Sequence, residues 1–185
     1  MKAAAAFGLA TTLLAVSPTQ VVTRSGRIGD LLMDASTPSA IVATLGRPDA
    51  ERIGTLDGSR RYRALGYACS AKQTGDAWPL LRGGPYCQTV FFLSPRDRRV
   101  RDFYTHSVHY RLANGVRIGM ATASAERLLH RRVTVGCEAN IYLGALTVAF
   151  NGGHRDAHGH LVGGRVFAFT LHSLRGRDLG IFDCL

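Results

Sequence analysis

A nine-residue pattern occurs twice in this chain, and it limits the fold more than any other feature. Arg99-Val100-Arg101-Asp102-Phe103-Tyr104-Thr105-His106-Ser107 matches Arg165-Val166-Phe167-Ala168-Phe169-Thr170-Leu171-His172-Ser173, giving R-V-x-x-F-x-x-H-S in both places. A chain that repeats itself at a fixed offset is built from copies of one unit, and its fold is read from that unit first. Upstream of each copy lies a stretch suited to a helix, Thr37–Gly46 and Thr122–His130. Ser36 or Thr37 is a candidate cap for the first and Thr122 for the second, and Pro38 suits a first helical turn. Gly46 before Arg47-Pro48 is a stop signal, whereas the second stretch has no such glycine.

Between each helix and its repeated strand come apolar runs rich in β-branched and aromatic residues: Arg61–Ala68 and Gln88–Leu93 in the first copy, Ile141–Leu143 and Ala145–Phe150 in the second. The expected organisation is a leader over 1–20, repeat one over 21–113 with an insertion at 67–85, and repeat two over 114–185. The expected fold class is α+β, two tandem helix-plus-antiparallel-strand repeats forming a curved sheet with helices on one side. There is no βαβ alternation and no glycine-rich phosphate loop.

The chain opens Met1-Lys2 and continues as an apolar run to Val16, the pattern of a secretory signal and too short for a comfortable membrane span. The expected compartment is therefore extracellular or periplasmic, and the protein is not expected to be integral to a membrane. In an oxidising compartment four cysteines imply two disulfides, with three connectivities open. Cys69 with Cys87 and Cys137 with Cys184, one bridge per copy, is the simplest. Zinc is disfavoured because no C-x-x-C pair exists.

The formal net charge is +10, and 21 of the 23 basic residues are Arg. Such a protein outside the cytoplasm associates with acidic envelope polymers. Nucleic acid is disfavoured by the compartment. The arginines form small clusters, Arg60-Arg61-Arg63, Arg96-Arg98-Arg99-Arg101 and Arg131-Arg132.

Strand alternation puts Phe103 and Phe169 on one face of the repeated strands, towards the helices. Tyr104, His106, Tyr110 and His172 fall on the other. That second face is the expected partner-binding surface, with Trp78 in the insertion as a further anchor, because tyrosine and tryptophan carry much interface energy. The segment Gly152–His160 holds His154, His158, His160 and Asp156, weak candidates for metal ligands on what reads as a hairpin tip. No G-x-S-x-G is present, and disulfides would consume the thiols, so no catalytic set is assigned and no cofactor is expected.

Ile118-Gly119-Met120-Ala121-Thr122 is similar to the I-G-M-T helix opening, and Thr44-Leu45-Gly46-Arg47-Pro48-Asp49 to the L-G-x-P-D helix end, of a known type of repeat. In outline, residues 28–185 resemble the beta-lactamase inhibitor protein family and, more loosely, the small outer-membrane lipoprotein (SmpA/OmlA) domain. That resemblance implies a concave face that occludes a secreted hydrolase, but no contact residue of the family matches position by position. The functional expectation is a non-enzymatic, secreted protein-binding module, an inhibitor of an extracellular or envelope enzyme. The alternative is a charge-driven binder of envelope polyanions, and the third a small secreted hydrolase.

Overall fold

The computed structural model describes residues 19–55, 61–72, 78–81, 84–136 and 138–173. Strand accounts for 49% of them and helix for 11%. The protein is therefore mostly β, which corrects the α+β expectation. The two helices, α1 (Pro38–Leu45) and α2 (Thr122–Leu129), span eight residues each. Helices that short are marginal alone and persist through tertiary packing; they decorate a β scaffold and are not a layer of their own.

The strands are β1 (Gln20–Val22), β2 (Arg27–Ile28), β3 (Leu31–Leu32), β4 (Ala50–Thr55), β5 (Arg61–Ser70), β6 (Trp78–Pro79), β7 (Tyr86–Leu93) and β8 (Val100–Thr105). They continue with β9 (Tyr110–Leu112), β10 (Thr134–Val135), β11 (Ala139–Leu143), β12 (Leu146–Asn151), β13 (His154–Arg155), β14 (Leu161–Val162) and β15 (Arg165–His172). One large sheet runs in the order β10-β11-β12-β15-β8-β7-β5-β4, with β6 added beside β7. A small sheet runs β3-β2-β1-β9, and β13 pairs with β14 as a hairpin.

The duplicated pattern forms the centre of the large sheet. β8 and β15 pair antiparallel with Asp102 opposite His172, Phe103 opposite Leu171, Tyr104 opposite Thr170 and Thr105 opposite Phe169. Tyr104 thus faces its own counterpart, and the two copies meet about a local two-fold axis. Apolar side chains cover both faces of this central pair. On the first face Phe91, Phe103 and Phe169 join Val22, Ile28, Leu31, Tyr110 and Leu112 of the small sheet, Ile41 of α1, and Ala125 and Leu129 of α2. The main core thus lies between the two sheets, with the helices closing its sides.

The second face carries a smaller cluster: Tyr62, Ala64, Val90, Phe92, Tyr104, Ala149 and Ala168, joined by Leu80, Leu81 and Cys87. Leu80 and Leu81 belong to the insertion and are 0% and 2% exposed. The Cys69–Cys87 disulfide fastens this insertion, bridging directly opposed residues of β5 and β7. Gly66 makes room for the bridge: a Cβ there would stand 2.5 Å from the Cys87 Sγ, 2.7 Å from the Cys69 Sγ and 2.9 Å from the Leu80 Cδ1. The leader, apart from its last two residues, and both members of the Cys137–Cys184 pair lie outside the described residues. Among the described residues no helix is long and apolar enough to cross a membrane.

Candidate functional site

The residues expected to form an open partner-binding face are not open. Tyr104 is 0% exposed and Tyr110 5%. Tyr104 belongs to the second-face cluster with Val90, Phe92 and Ala168, while Tyr110 packs on the opposite face against Phe103, ring centroids 5.4 Å apart. These two tyrosines therefore lie in different cores. The physical reason is twofold: β8 ends at Thr105 and the chain re-enters at Tyr110 as β9 of the small sheet, while the face that carries Tyr104 is covered by an insertion whose destination the sequence does not reveal. The His172 Nδ1 lies 3.0 Å from the Asp102 Oδ1, joining β15 to β8 in a nearly buried pair. His106 is half-buried beside Tyr104, their rings 6.1 Å apart. Trp78 lies on β6, paired opposite Cys87 of β7.

The His-rich segment is a structured hairpin. The Asp156 Oδ1 accepts from the backbone N–H of His158 at 2.8 Å and of His160 at 2.9 Å. These bonds, that to His160 foremost, hold the Asp156 carboxyl below the usual carboxylate range. The carboxylate thus serves the turn. Among the described residues no three His, Cys, Asp or Glu side chains gather as metal ligands around His154, His158 or His160.

Besides a concavity of about 420 Å³ between residues 22–25 and 112–114, the described residues form two more. The first is basic and lies at the end of α2. The helix starts at Thr122 without a side-chain cap, since Ala121 occupies that position. It stops at His130, which adopts a left-handed conformation (φ 53°) in place of the absent glycine and donates its N–H to the Glu126 carbonyl. Beyond it the Glu126 Oε1 accepts from the Val133 N–H at 2.8 Å and lies 3.4 Å from the Arg132 Nε. These bonds fold residues 130–133 back over the last turn. Arg127, Arg131 and Arg132 thus gather with His130, Glu126 and Ala123 around an open concavity of about 460 Å³. The negative end of the helix dipole favours positive charge there. Glu126 is the one acid in the lining, and its Oε1 is already engaged.

The second is a smaller, uncharged cleft of about 180 Å³ between the end of α1, β5 and the start of β9. Tyr67, Tyr110, Thr89, Ser107, His109 and Gln20 supply its polar lining. Tyr67 donates to the Gly46 carbonyl at 3.2 Å, and the Thr89 and Thr105 hydroxyls are 2.8 Å apart. Burial pushes both tyrosine hydroxyls up to about 12, with the Asp49 charge adding to the rise at Tyr67. A raised folded-state value means that the folded protein keeps protons the unfolded chain releases near pH 10. The stabilisation from these groups is intact below pH 10 and is lost as pH rises through 12. Chemical denaturation between those limits is expected to show stability falling with pH, and a Tyr67→Phe/Tyr110→Phe variant is expected to flatten that fall. An unchanged slope in the variant would contradict the assignment.

Neither concavity was found from sequence. Arg131-Arg132 shows in the sequence as a basic pair, but Arg127 joins it only through the left-handed turn at His130. The cleft has no comparable signal, because strands remote in sequence assemble it.

The fold defines the class: a disulfide-fastened, mostly β scaffold in which one long antiparallel sheet is covered on both faces. Among solved structures it is similar to the uncharacterized protein YfeY from Escherichia coli, with a TM-score of 0.54 and 15% identity over 82% of this chain and 99% of that one. At that identity the likeness is one of fold alone. No protein-family model matches the chain, and no curated protein matches it.

Proposed function

We propose that the protein is a non-enzymatic binding module of an oxidising, extracytoplasmic compartment, and that it engages an anionic envelope polymer through the basic concavity at the end of α2. The Cys69–Cys87 disulfide supports the compartment, since such bridges persist where thiols are not kept reduced. The basic-then-apolar opening of the chain supports it too. One observation carries the ligand class: Arg127, Arg131, Arg132 and His130 converge on one open surface with a single acid among them. Guanidinium groups present forked donors to phosphate and carboxylate oxygens, which suits a repeating anionic polymer.

This places the charge-driven alternative ahead of the protein-inhibitor expectation, whose tyrosine surface is buried. Binding to inorganic polyphosphate tests it. An arginine held near an anionic surface contributes about 1 kcal/mol, so the Arg127→Gln/Arg131→Gln/Arg132→Gln variant should bind about a hundredfold more weakly. The circular dichroism spectrum should be unchanged, because all three side chains are exposed. Equal affinity in the variant would refute the site.

A further inference from the structure

We propose that the uncharged cleft between α1, β5 and β9 binds a single neutral sugar ring, the hexose unit of a glycan. The lining decides the charge of the ligand. Gln20, Thr44, Thr89, Ser107, His109 and the two tyrosines offer hydroxyl, amide and imidazole groups, and no carboxylate, guanidinium or ammonium lines the cleft. A charged ligand entering it would lose hydration without a counter-charge, which is costly. A polyhydroxylated neutral ring exchanges its water hydrogen bonds for those of the cleft at little net cost.

The size points the same way. About 180 Å³ lies below the roughly 300–1,000 Å³ typical of sites for drug-sized ligands, which suits one ring and not a chain of them. Leu45, Ala68 and the tyrosine rings supply the apolar surface that the C–H faces of a pyranose require.

The walls are fixed before any ligand arrives. The Tyr67 ring packs edge-on to Phe91 at 6.1 Å and the Tyr110 ring against Phe103 at 5.4 Å. The Ser107 Oγ accepts from the His109 N–H at 3.4 Å, shaping the turn that forms the rim. Ala68 lines the cleft in a left-handed conformation, φ 51°, inside a strand. A non-glycine residue there costs about 1–2 kcal/mol, and strain of this kind concentrates at ligand sites. The Thr89 and Thr105 hydroxyls are hydrogen-bonded to each other, which fixes Thr89 in the lining.

The test is a titration of the ¹⁵N-labelled, oxidised full chain with glucose, galactose, mannose and N-acetylglucosamine, followed by amide shifts. Glucose 6-phosphate serves as the charged comparator. At least one neutral sugar should give saturable shifts confined to the region of Ala68, Thr89, Ser107 and His109, with the weak affinity expected of so few atoms. Tyr67→Phe should weaken binding about two- to tenfold, the loss of one net hydrogen bond. His109→Ala, an exposed position, should weaken it without touching the core. The triple arginine variant should bind the sugar as the native protein does, so failure here is separate from failure at the basic concavity. No saturable shift with any neutral sugar would overturn the proposal, as would tighter binding of glucose 6-phosphate, or unaltered affinity in both cleft variants.

Discussion

Tyr104→Ala is expected to destabilise the protein by about 3–5 kcal/mol, the usual cost of emptying a fully buried aromatic site. Tyr104 is 0% exposed and sits on β8 at the middle of the large sheet. Its neighbours leave little room for collapse: Val90 and Thr170 lie directly opposite it on the two flanking strands. In a domain of this size about 1 kcal/mol shifts Tm by about 2–4 °C, so thermal unfolding should fall by about 10 °C. If Tm holds and only partner binding is lost, Tyr104 belongs to an exposed recognition face and the burial described above is wrong.

Removing the bridge is expected to have the next largest effect. A Cys69→Ala/Cys87→Ala variant reopens a loop with a sequence separation of 18, which the chain-entropy model sets at about 3 kcal/mol. The loss should not stop at the loop. Leu80 and Leu81 lie on the second face together with Cys87, so the variant should also increase amide exchange in β7 and β8 beneath them. Amide exchange resolved along the sheet separates the two outcomes. Faster exchange confined to 67–85 would show that the insertion covers nothing, whereas faster exchange spreading to Val90 and Tyr104 is the expected result.

The sequence made local structure legible and left its destination hidden. Thr37 is a helix cap by residue type, and its Oγ1 does accept from the Ala40 N–H at 3.3 Å. β5, β7, β11 and β12 show as apolar runs because buried strands are rich in β-branched and aromatic residues. The phase of the duplicated strands was also readable, with Phe103 and Phe169 sharing one core. The α+β expectation rests on two helix signals, whereas many of the strands that make the protein mostly β are too short to leave a pattern in the sequence. β1, β2, β3 and β9 are two or three residues long, too short to show a period. Yet they build the small sheet, which carries Tyr110 inward onto Phe103.

The misplacement of the recognition face has a different cause. Alternation assigns side chains to two faces and says nothing of what lies over either. Leu80-Leu81 in a glycine- and proline-rich insertion reads as a loop; its burial follows from the disulfide and from the space that Gly66 leaves. The same limit applies to charge. Three arginine clusters were visible as text, but the gathering of Arg127 with Arg131 and Arg132 depends on the left-handed turn at His130 and on Glu126.

The salt dependence of polyphosphate binding tests the central claim most directly. The affinity of native protein and of the triple arginine variant would be measured across a series of salt concentrations. Each phosphate contact releases counterions, and losing one basic contact lowers the slope of log affinity against log salt by about one. The account predicts a steep slope for the native protein and a slope shallower by about three in the variant. Equal slopes, or native binding that is insensitive to salt, would show that the basic concavity is not where this protein meets its ligand.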